Sequence, residues 1–182
     1  MLRVENIYDP EDASWFELIR PLLAGELDHH ARLDAPGPEM FGKRYDAKLD
    51  YTEEWPLSST AFAVFAAFDG ENPEPVGFIS ASVNDPAEYD WQEGYIGDVY
   101  ADPSYRGHGV GRAMMETVME WFSSFPKVES IVLEVWKGND QVIPFYGKWG
   151  FQVRNYVLVA ENSRYVSGDS NASSFMSETT ES

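Results

Sequence analysis

The residues best suited to chemistry lie in one run, Asp98-Val-Tyr-Ala-Asp-Pro-Ser-Tyr-Arg-Gly-His-Gly-Val-Gly-Arg112. A β-rich stretch ends at Asp102-Pro103, a turn follows, and glycines at 107, 109 and 111 lead into an apolar-periodic segment. Strand, glycine loop and helix in that order present bare backbone N–H groups at the positive end of a helix, which suits a phosphate-bearing ligand. Gly107 and Gly109 remove side chains where a pyrophosphate must touch backbone. Gly111 is expected to let the helix pack close to the strand behind it. Arg106 and Arg112 can add charge toward the anion, and His108 reads as a polar filler of the loop. The spacing is not that of the dinucleotide fingerprint, and the Lys-Ser/Thr pair of a P-loop is missing.

Other candidate groups are weaker. His29 and His30 are adjacent, so on a helix they point about 100° apart and cannot clamp one ion. They read as surface or loop-packing histidines, and no metal site is expected. Trp15, Phe16, Trp55, Tyr89 and Trp91 could line an acceptor pocket, though most read as core. Cysteine is absent, which excludes disulfides and thiolate zinc sites. No serine sits beside a plausible base, so no covalent enzyme intermediate is expected.

The elements that must position the loop follow from periodicity. Residues 2–8 alternate as a first strand. Asp9-Pro10-Glu11-Asp12 opens a helix carrying Trp15, Phe16, Ile19, Leu22, Leu23 and Leu27 at helical spacing, with a kink or break expected at Pro21. Residues 35–38 read as a loop and 39–51 as a short helix. Strands are expected at 58–68 and 76–83, joined by an Asp69-Gly70 turn, and at 94–101. Residues 109–122 form the clearest helix, with Val110, Met114, Val118, Trp121 and Phe122 on one face. A strand at 130–136, a helix from Asn139 to Trp149 capped by Gly150, and a strand at 151–160 complete the pattern. Hairpins followed by βαβ units make a mixed sheet with helices on both faces.

Length and composition describe one folded domain over residues 1–160 and an acidic, serine-rich tail at 161–182, loosely attached or contributing a weak last strand near 172–177. The formal net charge is −18, and only three units of that surplus lie in the tail. Such a surface repels nucleic acid and anionic membrane. With few lysines and with acids spread along the whole chain, it reads first as a solubility adaptation of the high-salt kind. The alternative is a field that draws in cationic substrates. Met1-Leu-Arg-Val-Glu-Asn-Ile lacks the apolar run of a secretory leader, and no apolar run is long enough to span a membrane, so a cytoplasmic protein is expected.

Arg106-x-x-Gly109-x-Gly111, following Val99-Tyr-Ala-Asp-Pro103, resembles the acyl-CoA-binding motif of the GNAT N-acetyltransferase superfamily. A second block, Asn139 followed by Phe145-Tyr-Gly-Lys148-Trp-Gly150-Phe151, resembles the family's helix ending in Tyr-x-Lys-x-Gly-Phe. The resemblance implies an α/β fold with a central mixed sheet of six to seven strands flanked by helices. Its two parallel strands, 94–101 and 130–136 here, would splay around the acyl-CoA thioester. Val99 and Ala101 would offer backbone groups to the pantetheine and thioester. The amides of Arg106, Gly107, His108, Gly109, Val110, Gly111 and Arg112 would hold the pyrophosphate, and Asn139 would bond the pantetheine arm. Tyr146 would donate a proton to the departing thiolate. Glu93 and Asp98 are the strand's candidate bases, with a water chain as the alternative. The implied reaction is direct transfer of an acetyl group from acetyl-CoA to a primary amine on a small molecule or peptide. A homodimer stays open. One rival is an acyl-CoA-binding module without turnover, and another is a protein that binds ADP through the glycine loop. Val142, Pro144 and Gly147 depart from the family pattern around Tyr146.

Overall fold

Apolar runs bounded by turn residues give five strands: β1 (Leu2–Asn6), β2 (Ala61–Asp69), β3 (Pro75–Asn84), β4 (Gln92–Ala101) and β5 (Val128–Leu133). They lie side by side in chain order. The first three junctions are antiparallel, and β4 pairs with β5 in parallel. The computed structural model describes residues 1–33, 59–85 and 90–156. The expected short helix at 39–51, the weak strand near 172–177, Trp55 and Tyr89 lie outside the described residues.

Alternation along the strands builds two core layers. On β3, Ile79, Ala81 and Val83 point into one layer and Phe78 into the other. Helix α1 (Ser14–Leu33) covers the Phe78 face with Trp15, Phe16, Ile19, Leu22, Leu23 and Leu27. Trp15 and Phe16 are therefore core residues. Helix α2 (Val110–Ser123) covers the opposite face with Val110, Met114, Met115, Val118 and Phe122. The sheet is thus mixed and has helices on both faces, as the element order requires. It has five strands among the described residues against the six to seven expected.

Three local expectations are corrected. Pro21 neither breaks nor splits α1. Its side chain is exposed, and the apolar stripe around it stays seated on the sheet, so the loss of one N–H is tolerated. The expected helix from Asn139 to Trp149 is a 3-10 turn, Asp140–Val142, followed by the short helix α3 (Ile143–Gly147). Pro144 cannot donate the hydrogen bond that would continue one helix, so the chain closes a tighter turn with Val142 N–H on the Asn139 carbonyl (3.0 Å) and restarts. Gly150 does terminate this segment with φ +89°. Residues 151–156 form no strand and are mostly exposed. Residues 157–160 lie outside the described set. The described elements all belong to one compact unit, Met1–Phe151.

Two glycines set how closely α2 lies on the sheet. A Cβ on Gly77 of β3 would come within 2.8 Å of Val110 Cγ1 and 2.9 Å of the Tyr100 carbonyl oxygen. A Cβ on Gly94 would come within 2.7 Å of the Phe122 ring. The close approach expected of Gly111 belongs to these strand glycines. A Cβ on Gly111 would meet only the Phe145 ring at 3.6 Å, an ordinary contact.

Gly77→Ala is expected to cost about 1–3 kcal/mol of stability through overpacking, read by urea denaturation. Gly147→Ala, with nothing within 4 Å, is expected to be neutral or to stabilise by up to about 1 kcal/mol. Equal effects at both positions would contradict this packing account.

Candidate active site

The site begins where β4 and β5 part. Their ladder runs from Gln92–Val128 to Ile96–Leu133 and stops, while β4 continues against β3 to Ala101. At the fork lies a β-bulge: Ile79 faces Val99 and Ala81 faces Ile96, so Gly97 and Asp98 together oppose Ser80. The bulge amide of Asp98 donates to Ser80 Oγ (2.8 Å), and that hydroxyl donates to the Asp98 carboxylate (3.2 Å). A Cβ on Gly97 would fall 2.7 Å from Ser80 Oγ, so glycine is needed there. The extra residue reverses the facing of the strand. Ile96 lies in the α2 layer, and Tyr100, four residues on, lies in the α1 layer.

Beyond the fork, Asp98 N–H points to β3, and Asp102 N–H donates to the Val76 carbonyl on β3 at 2.9 Å. By alternation, the backbone groups of Val99 and Ala101 turn the other way, toward the side that β5 has left. Ala101 O accepts a long bond from Arg106 Nε (3.4 Å).

The loop then closes a 3-10 turn, Pro103–Tyr105, on Asp102, whose carboxylate accepts from Ser104 N–H (2.8 Å). Gly107 and Gly109 have φ of +80° and +89°, a region costly for any residue with a Cβ. Gly109 is the N-cap of α2 and offers no side-chain cap. The amides of Arg106 and His108 are used inside the turn, on Pro103 O and Tyr105 O. Among the described residues, those of Gly107, Gly109, Val110, Gly111 and Arg112 have no acceptor and collect at the positive end of a fourteen-residue helix. The set of unbonded amides is therefore narrower than the unbroken run from Arg106 to Arg112. Its charge is mostly main-chain, because Arg112 is paired with Glu116 at 2.8 Å and Arg106 lies over the Tyr100 ring. His108 Nδ1 lies 3.0 Å from the Arg106 carbonyl, inside the loop.

Asn139 opens the 3-10 turn before α3 and accepts from Gln141 Nε2 at 2.6 Å. Tyr146 sits on α3, edge-on to Phe145 and Phe151 and packed against the α2-side core. Burial pushes its hydroxyl up to about 12, and the Glu26 carboxylate pushes the same way. The phenol therefore keeps its proton throughout the neutral range. Glu93 sits on the paired half of β4 beside Ser130, six residues before Val99, or about 20 Å along the strand. Asp98 is adjacent to Val99. Glu26 on α1, only 2% exposed, escaped the sequence reading. Its signal was an acid on an apolar stripe, one turn after Leu22 and beside Leu23 and Leu27.

His29 and His30 belong to α1, where His30 stacks on Trp136 at 5.6 Å. Among the described residues no three metal-ligating side chains cluster, and no helix is long and apolar enough to cross a membrane.

A sequence model described as the acetyltransferase (GNAT) family matches residues 28–151. An uncharacterized N-acetyltransferase of Methanocaldococcus jannaschii is 30% identical over 145 residues, covering 76% of this chain and 62% of that relative. The chain thus spans less than two thirds of that relative's length. Among solved structures, a Pyrococcus furiosus protein described as an acetyl transferase superposes with a TM-score of 0.67 at 21% identity, over 88% of this chain and 99% of the other. An aminoglycoside acetyltransferase from an uncultured soil sample, solved with sisomicin, superposes at 0.58 with 17% identity, over 88% and 97%. These structural likenesses carry the fold alone.

The raised Tyr146 hydroxyl has a consequence for stability. An unfolded tyrosine ionises near 10, whereas the folded one holds its proton to about 12. Its contribution is complete below pH 10 and is lost as pH climbs through that window, to a total on the order of 2 kcal/mol. Urea denaturation is expected to show a steeper alkaline loss for the parent than for Tyr146→Phe. Parallel curves would contradict the burial of this hydroxyl.

Proposed function

The chain belongs to the acetyltransferase (GNAT) family, and from that premise we propose that it transfers an acetyl group from acetyl-CoA to a primary amine. The observation that carries this reading is the conjunction of a forked β4–β5 pair with unbonded main-chain amides at the start of α2. The residues present fit the cosubstrate. Two left-handed glycines interrupt the side chains of the loop, and five unbonded amides collect at a helix N-terminus, where a diphosphate would find donors. Val99 and Ala101 turn main-chain groups into the fork, where a pantetheine arm can bond in place of β5. Asn139 stands on the opposite arm, with its side-chain N–H donors directed by the bond its oxygen accepts from Gln141.

Acetyl-CoA supplies an activated acyl group on a thioester. Tyr146 supplies a proton to the sulfur as the C–S bond breaks and recovers one from the nitrogen, which must lose a proton on becoming an amide. Its burial keeps it neutral for that task. Asp98 stands at the fork with its carboxylate bonded to Ser80, whereas Glu93 stands on the paired half of the strand, offset from the fork. The acceptor is a small-molecule or peptide amine. Support for an amine comes from the N-acetyltransferase relative.

Tyr146→Phe is expected to lower kcat about 100-fold or more while leaving the Kd for CoA within about threefold. Thiol release across a panel of amines, paired with calorimetric CoA binding, reads both quantities. Unchanged turnover would remove Tyr146 from the chemistry. CoA binding by the parent chain without thiol release for any amine would make the protein a binding module.

A further inference from the structure

Helix α1 crosses the mouth of the fork. Its Gly25 lies so close to the Tyr100 hydroxyl that a Cβ there would come within 2.6 Å. Tyr100 is on β4, four residues past the last β4–β5 pair. One turn on, His30 stacks on Trp136, and Leu33 O would sit 3.4 Å from a Cβ on Gly138. Trp136 and Gly138 follow β5, three and five residues past the same last pair. The segment from 25 to 33 therefore touches both parted arms. Five residues of helix span about 7.5 Å, wider than the ~4.8 Å between paired strands, which is the scale of an opening here.

Glu26 is on this segment, between the two points of contact. It shares a stripe with His30 and Leu33, because residues three and four apart share a helix face. It is 2% exposed, on the side of α1 that faces the sheet. Glu26 also acts on two phenols that belong to different layers. Burial is the main cause that raises Tyr100 in the α1 layer and Tyr146 in the α2 layer, and the Glu26 carboxylate adds to both in the same direction. A continuous sheet separates those layers, and between β4 and β5 it is continuous only up to Ile96–Leu133.

We propose that Glu26 is the carboxylate that receives the acceptor's ammonium at the fork and takes the proton its nitrogen must lose before attack. The assignment rests on the acetyl transfer proposed above. The step balances: R–NH3⁺ and the Glu26 carboxylate become R–NH2 and the carboxylic acid, which later releases that proton to solvent. The acceptor class is then an amine that is cationic at neutral pH. It enters from the α1 side, while Tyr146 serves the sulfur from the other.

The test compares two nucleophiles on the full chain at neutral pH: 1,4-diaminobutane, which arrives as an ammonium, and hydroxylamine, which arrives uncharged. Glu26→Gln keeps the shape and removes the charge. It is expected to lower kcat/KM for the diamine about 10- to 100-fold and for hydroxylamine less than about threefold. Glu26→Asp should recover part of the loss. Asp28→Asn, on the exposed face and ion-paired with Arg32, should match the parent. Equal losses with both nucleophiles, or a fall in CoA affinity to match, would make Glu26 a structural group and overturn the proposal. Unchanged kinetics with the diamine would overturn it too. A parent chain that turns over neither nucleophile would instead sink the acetyl-transfer reading, and this assignment with it.

Discussion

Backbone N–H and C=O groups inside a sheet must find partners, and past Ile96 and Leu133 the strands β4 and β5 stop supplying them to each other. Everything that reads as function gathers at that interruption. The bulge at Gly97-Asp98 produces it locally, because an extra residue bends the strand and increases its twist. Ser80 makes the bulge affordable by bonding the Asp98 amide that the ladder cannot use. The change of facing then sends Tyr100 toward α1 and leaves Val99 and Ala101 with main-chain groups on the open side. A ligand with its own amides, laid along β4 like a further strand, satisfies the same constraint.

The glycine loop meets a second constraint, set by charge. The chain carries a formal −18, yet the cradle proposed for the loop would face an anion. The loop arginines contribute little to that cradle, since Arg112 answers Glu116 and Arg106 lies on Tyr100 and the Ala101 carbonyl. The local positive potential comes from five amides and the helix end, which no acid on the surface can neutralise by proton transfer.

Local signals in the sequence were enough for the elements that carry strong patterns. The strands from 61 to 101, the helix after Gly109 and the cap at Gly150 follow from periodicity, glycine placement and turn chemistry. Long-range facts were not legible. Gly77 looks like any strand glycine until α2 is laid on it, and the bulge at Gly97 depends on which β3 residue stands opposite. Glu26 reads as one acid on an amphipathic helix, because its burial appears only once α1 is packed in the fold. Pro144 was visible, but a helix broken into a 3-10 turn and a short restart requires knowing that Asn139 and Val142 close the first piece.

The central claim is that main-chain amides at the fork and the helix end hold the cosubstrate. The most direct measurement follows the backbone amide resonances of labelled protein during a CoA titration. The account expects Gly107, Gly109, Val110, Gly111, Arg112, Val99 and Ala101 to shift together and to exchange more slowly in the complex. If CoA binds and these amides stay unmoved while others respond, the ligand sits elsewhere and the account is wrong.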